Sequence, residues 1–248
     1  MLFRSVVDCL EQRYPQHDGL NLSFETREGV LKHCSRRKAQ QLEAQEPGGV
    51  GARFLDRTRP SLEAQLCNLA DEIAYNAHDI DDGVRSGLLA LDQLDAVPLV
   101  ARLRREVASE FPSLDAKRTL SQQVYDVIAA TGAALGRHRP ADADAARCLP
   151  ALVCFSGAMA DESAALKAFL RVNLYRHPQV VETTDRAQQV IRDLFEAYAA
   201  DPQQMPPEHA ARDQDRRGLR AVADYIAGMT DRYALREHER ITGRRLFG

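Results

Sequence analysis

The chain has 248 residues, of which 44% are hydrophobic, and its 33 basic and 36 acidic side chains leave a formal charge of -3. This content is enough for a buried core, and the small net charge excludes a strong overall attraction to nucleic acid or to anionic membranes. The five cysteines are scattered, which excludes a disulfide framework, and no apolar run reaches the roughly 18 residues of a membrane span. We therefore expect a cytoplasmic protein without membrane contact.

The composition predicts an all-α fold. Aromatic residues make up only 6% of the chain, tryptophan is absent, and Ala, Leu, Arg and Glu are abundant, which favours helices over strands. We expect a polar stretch at 35–46, a flexible glycine-containing approach to the next helix at 48–51, and a loop with at most one turn of helix at 137–150. In chain order, the predicted helices are 3–13, 23–33, 60–83, 98–110, 115–136, 161–177 with Asp161 or Ser163 as its cap, 183–199, 213–228 and 231–240.

Three of these helices carry an apolar stripe that we expect to face the core. In helix 60–83 the stripe is Leu62, Leu66, Leu69, Ile73, Ala77 and Ile80. In helix 115–136 it is Leu120, Val124, Val127, Ile128 and Leu135. In helix 161–177 it is Leu166, Phe169, Leu170, Val172 and Leu174.

The other face of helix 60–83 is acidic, and its members are Asp71, Tyr75, His78, Asp79 and Asp82. We call this set the acidic stripe. It contains no lysine or arginine, although a solvated helix face usually mixes both signs. Carboxylates stacked in this way repel one another unless water screens them or a cation lies nearby. A wet acidic surface and a cation-binding cleft both remain open from the residues alone.

Helix 161–177 carries a cationic counterpart of the acidic stripe. Lys167, Arg171 and Tyr175 are spaced at i, i+4 and i+8, which places them in one row along the helix. A solvated basic face is the plain alternative. The residues alone leave a solvated face and a ligand-contacting row equally open.

A family resemblance covers the whole chain and rests on three segments. They are LADEIAYNAHDIDDG at 69–83, ALKAFLRVNLYRHPQV at 165–180 and GMTDRYALREHERI at 228–241. Together they resemble the deoxynucleoside triphosphate triphosphohydrolases, the dGTPase branch of the HD-domain phosphohydrolases. The resemblance implies an HD-type helical bundle that is incomplete at its N-terminus. Residues 1–136 would form a partial catalytic domain, and residues 137–248 would complete the substrate pocket.

The resemblance also implies a reaction and a set of site residues. The family hydrolyses a deoxynucleoside triphosphate to deoxynucleoside and inorganic triphosphate with a divalent metal such as Mg²⁺ or Mn²⁺. By this mapping Asp71 is a metal ligand, and Tyr75 and Asp79 border the deoxyribose. Lys167 contacts the triphosphate, and Tyr175 packs on the sugar where a 2′-hydroxyl would clash. The resemblance further suggests a homo-oligomer.

The sequence departs from the family pattern at the metal site. The family's first His, its His-Asp pair and its assisting histidines precede the helix of Asp71, and no helix of that kind is recognisable here. His17 and Asp18 form a His-Asp dipeptide, but they lie in a turn bounded by Pro15 and Gly19. A turn of this kind is not expected to hold metal ligands rigidly. We therefore expect the catalytic residues to lie upstream of this chain and the chain by itself to be inactive.

Two alternative functions remain open at this stage. One is another HD-type phosphohydrolase that acts on a different nucleotide. The other is a non-catalytic helical scaffold that oligomerises or binds single-stranded DNA. The basic residues that would serve such binding are Arg36, Arg37 and Lys38 together with Arg240, Arg244 and Arg245.

Overall fold

The computed structural model describes residues 6–247, except for residues 12, 32–33, 57, 108–114, 208 and 210–217. Its regular structure is helical throughout the described residues, which contain no strand, so the all-α prediction is confirmed. Among the described helices, none is both long enough and apolar enough to cross a membrane. The chain divides into two compact units, the first ending at Tyr175 and the second beginning at Arg176.

The first unit contains eight α-helices in its described part. They are α1 Phe24–Val30, α2 Arg36–Gln45, α3 Val50–Leu55, α4 Leu62–Arg85, α5 Pro98–Val107, α6 Asp115–His138, α7 Ala143–Arg147 and α8 Gly157–Leu170. A π-helical turn at Val6–Leu10 precedes α1, a 3₁₀ turn at Gln93–Ala96 precedes α5, and a second π-helical turn at Arg171–Tyr175 continues α8. The predicted helix 3–13 thus appears as one π turn, and its residues 3–5 and 12 lie outside the described part.

The core of the first unit lies where α4, α5 and α8 meet. Its fully buried members include Leu94, Leu99 and Leu166, whose apolar surfaces are removed from water. The sequence predicted that helix α4 ends at Gly83. Gly83 instead lies inside α4, which continues to Arg85. An added Cβ at Gly83 would lie only 2.6 Å from Leu89 Cδ1, so this glycine permits the close approach of the segment after α4.

Two helices begin at serine caps that were not predicted from the sequence. The polar stretch 35–46 is helix α2, and the Ser35 side chain accepts a hydrogen bond from the Lys38 amide at its start. Helix α8 begins after Ser156, whose hydroxyl accepts from the Met159 amide, and Asp126 of α6 accepts hydrogen bonds from the Ser156 amide and hydroxyl. Ser163, which the sequence offered as a cap, is buried within α8.

Four residues that were predicted to face the core are exposed instead. The exposed fractions are 51% for Leu66, 37% for Val124, 63% for Ile128 and 66% for Val172. On α6, Val124 and Ile128 are exposed, whereas the polar side chains of Thr119 and Gln123 are buried together with Val127. The apolar stripes therefore indicated helices correctly, but the direction from which α4, α5 and α8 approach decides which side chains are covered.

A buried ion pair joins two distant parts of the first unit. The Arg147 guanidinium of α7 donates to Glu28 Oε1 of α1, and the side chains are 7% and 1% exposed. The Arg147 carbonyl also accepts a hydrogen bond of 2.7 Å from the Arg59 amide, just before α4. These two contacts of Arg147 attach the predicted loop 137–150 to the rest of the first unit through the short helix α7.

The second unit is a small helical cluster. Its helices are α9 Pro178–Ala200, α10 Leu219–Ala227 and α11 Asp231–Thr242, with a 3₁₀ turn at Pro202–Gln204. Its core includes Tyr198, Leu194 and Val222, all fully buried, and α9 packs against both α10 and α11. Residues 213–217 of the predicted helix 213–228 lie outside the described part.

Candidate functional site

Helix α4 carries the acidic stripe on its solvent-exposed face. Ser61 starts the helix, because its hydroxyl accepts a hydrogen bond of 3.2 Å from the Ala64 amide. Ile73, Ala77 and Ile80 are buried on the opposite face. Within the acidic stripe Asp71, Tyr75, His78 and Asp82 are exposed, whereas Asp79 is half-buried. The alternation predicted from sequence is therefore present at the centre of this helix.

Asp79 is held by Tyr175 from the π turn that follows α8. The Tyr175 hydroxyl donates a hydrogen bond to Asp79 Oδ2. Burial, followed by this hydrogen bond and the Asp79 charge, raises the pKa of Tyr175 to about 12. Tyr175 consequently remains a neutral donor at physiological pH. Because a carboxylate has two oxygens, Asp79 keeps Oδ1 available for a hydroxyl group of a ligand.

Lys167 is held by Glu72, which is not among the site residues predicted from the sequence. The Lys167 ammonium lies 2.5 Å from Glu72 Oε1, and the buried Ser163 hydroxyl donates to the same oxygen at 3.1 Å. Glu72 is adjacent to Asp71 but falls beside the acidic stripe, so only the crossing of α4 and α8 reveals its role. Lys167 is half exposed and has three N–H donors, so it can contact an anion without leaving Glu72.

Two contacts link helix α4 to α8 and to the π turn that follows α8. Asp79 meets Tyr175, and Lys167 lies against the residue that follows Asp71. Tyr75 is 66% exposed. The side chains on these elements include carboxylates, an ammonium group and phenol groups, which can form hydrogen bonds and ion pairs with a polar ligand.

The sequence of this chain is similar to those of known proteins. Residues 153–240 match the family described as the phosphohydrolase-associated domain. The chain is 52% identical over 244 residues to a deoxyguanosinetriphosphate triphosphohydrolase-like protein of Bordetella pertussis. Proteins of the same name from Ralstonia nicotianae and Nitrosomonas europaea are 51% and 42% identical. Each alignment covers 95% of this chain but only 62%, 62% and 64% of the respective relative.

This chain is a homologue of the dGTP triphosphohydrolase-like proteins over nearly all of its length. It spans about 62% of the length of the first of these relatives. Lys167 and Tyr175 lie within the phosphohydrolase-associated region, whereas Asp71, Tyr75 and Asp79 lie before it. The candidate site therefore joins residues from both parts of the homologous segment.

The described residues do not by themselves form a metal site of the kind expected in a triphosphohydrolase. Asp71 is exposed, but no group of three or more His, Cys, Asp or Glu side chains in the described part of the chain could hold a metal ion. His17 is also exposed, stacks on Tyr14 with ring centroids 5.0 Å apart, and can donate from Nδ1 to the Asp18 carbonyl at 3.3 Å. Asp71 thus offers one carboxylate and no more.

Proposed function

We propose that this chain supplies the substrate-binding side of a deoxynucleoside triphosphate triphosphohydrolase, which releases deoxynucleoside and inorganic triphosphate. The observation that carries the proposal is the convergence of α4 and α8, which sets Asp79 against Tyr175 and Lys167 against Glu72. The name of the relatives supports a phosphohydrolase of this class. The cytoplasmic location and a homo-oligomeric state are further parts of the proposal.

Each residue has a defined part in this proposal. Asp79 accepts a hydrogen bond from the 3′-hydroxyl through its remaining oxygen, while the Tyr175 ring packs on the sugar and leaves no room for a 2′-hydroxyl. The exposed Tyr75 ring borders the same sugar, and Lys167 neutralises charge on the triphosphate. Asp71 contributes one ligand to a divalent metal, such as Mg²⁺ or Mn²⁺.

We infer that this chain alone is inactive, since the single carboxylate of Asp71 does not hold a catalytic metal. We expect no triphosphate release when the chain is incubated with Mn²⁺ and a mixture of dNTPs. We expect the same dNTPs to raise the unfolding temperature of the chain, because binding to the folded state stabilises it. Triphosphate release that disappears in Asp71→Ala would instead indicate a complete site, and the ligand set proposed above would then be wrong.

A second prediction tests the sugar contact of Asp79. Asp79→Asn should weaken dNTP binding about tenfold, because it replaces a charged acceptor of the 3′-hydroxyl with a neutral amide. Binding of a 2′,3′-dideoxynucleoside triphosphate should change by less than about twofold, because this ligand lacks the hydroxyl. Calorimetric titration of the chain with both ligands provides the measurement.

Asp82→Asn is the matched control for this test, since Asp82 lies on the same stripe and is exposed. It removes the same charge without touching the Tyr175 contact. Equal weakening by Asp79→Asn and Asp82→Asn, or equal effects on both ligands, would show that Asp79 acts only through its charge.

The alternative of a single-stranded DNA-binding module has weaker support. Arg36, Arg37 and Lys38 are exposed at the start of α2, but Arg240 is held by Glu237 at 2.8 Å. If the alternative is correct, the chain binds single-stranded DNA without metal, and its affinity falls steeply as salt rises. Release of phosphate or pyrophosphate by the completed enzyme would favour a phosphohydrolase for another nucleotide.

A further inference from the structure

The segment 244–247 folds back onto the second unit. Helix α11 ends at Gly243, which has a positive φ of 67° and turns the chain away from the helix axis. Leu246 and Phe247 then pack, partly buried, against the apolar core of this unit. The Arg244 amide donates to Thr242 Oγ1 at 3.1 Å. We call residues 244–247 the tail.

His238 of α11 links this tail to helix α9. The His238 side chain is 1% exposed, and its Nε2 lies 2.8 Å from Asp193 Oδ2. Its Nδ1 lies 3.2 Å from the backbone carbonyl oxygen of Arg244. Asp193 is an ionised carboxylate, because hydrogen bonds from His238 and from Gln189 hold its pKa below the usual range. Both partners of the imidazole are therefore hydrogen-bond acceptors.

Two acceptors require two N–H donors on the ring. A neutral imidazole has only one N–H group, whereas the imidazolium has two. Because a buried acceptor facing a ring lone pair is unfavourable, the geometry matches the charged form. We propose that His238 is doubly protonated and acts as a pH-sensitive clasp that holds the tail on the second unit.

The charges around His238 support this assignment. Asp193 of α9 faces the ring directly, and the Arg244 guanidinium of the tail adds a favourable interaction with Asp193. On α11 itself, Glu237 and Arg240 are paired with each other. The Tyr198 hydroxyl of α9 donates to Glu237 at 2.7 Å, so Glu237 has partners other than the imidazole. Asp193 is thus the carboxylate that stabilises the charge of His238.

Deprotonation should break the contact with the tail first. The bond from Nε2 to ionised Asp193 is charge-assisted and stronger than a bond to a neutral carbonyl. The remaining proton therefore stays on Nε2, and the lone pair of Nδ1 faces the Arg244 carbonyl. The tail is accordingly docked while both ring nitrogens carry a proton and is released when Nδ1 loses its proton, as long as Asp193 remains ionised.

The test combines nuclear magnetic resonance of the full chain with two substitutions. The ring ¹⁵N shifts of His238 should report two protonated nitrogens at pH 5.5. The backbone order parameters of Leu246 and Phe247 should fall from about 0.85, the value of a rigid backbone, to below about 0.6 at pH 8.5. His238→Gln keeps a donor for Asp193 but has none for the tail, so its tail should be mobile at both pH values.

Asp193→Asn gives the opposite expectation and is the stricter control. An asparagine amide can accept from Gln189 and donate to Nε2 of a neutral imidazole, which leaves Nδ1–H for the Arg244 carbonyl. The tail should then stay ordered at both pH values. A singly protonated ring at pH 5.5 in the unsubstituted chain, or tail order that does not change with pH, would overturn the proposal. The same holds if Asp193→Asn retains the pH dependence or releases the tail throughout.

Discussion

Replacing Arg147 with methionine is expected to lower the free energy of unfolding by about 3–5 kcal/mol. The substitution removes the partner of Glu28, which is 1% exposed and already has one carboxylate oxygen, Oε2, without a hydrogen bond. An unpaired buried carboxylate must either lose its charge or draw water into the interior, and both are costly. Chemical denaturation followed by circular dichroism measures the loss.

The double variant Glu28→Met and Arg147→Met is the control for this prediction. It removes both charges, and apolar side chains of similar size can fill the space, so most of the lost stability should return. If the double variant is as unstable as Arg147→Met alone, packing between α1 and α7 accounts for the effect and the buried charge does not. The two variants therefore separate electrostatics from packing.

Leu166→Ala is expected to destabilise the first unit by about 2–5 kcal/mol. Leu166 is fully buried in the core of this unit, and its truncation leaves a cavity among packed side chains that relax only in part. Because Leu166 precedes Lys167 on α8, the same cavity should loosen the contact between Lys167 and Glu72. Thermal unfolding of the chain gives the change in stability.

Val172→Ala is the matched control on the same helical segment. The sequence pattern predicted Val172 to face the core together with Leu166, but its side chain is 66% exposed. Its truncation should change stability by less than about 0.5 kcal/mol. A loss comparable to that of Leu166→Ala would indicate that Val172 is covered in solution, for example by another copy of the chain.

The candidate site could be predicted from sequence in part. The i, i+4 and i+8 spacing was sufficient to place Asp71, Tyr75 and Asp79 on one face of α4, because it depends only on helix geometry. The contact between Asp79 and Tyr175 joins residues that are 96 positions apart, and no local pattern indicates it. Glu72 was missed for the same reason, since its partners Lys167 and Ser163 belong to another helix.

The sequence by itself determined that this protein is helical and where most of its long helices lie, because capping residues and apolar periodicity act within a few turns of the chain. Only the tertiary structure decided which faces are covered. Ile128 is exposed and Gln123 buried on the same helix, since burial depends on how neighbouring helices cross. The tertiary structure likewise set His238 between two acceptors, an arrangement that no spacing along the chain could reveal.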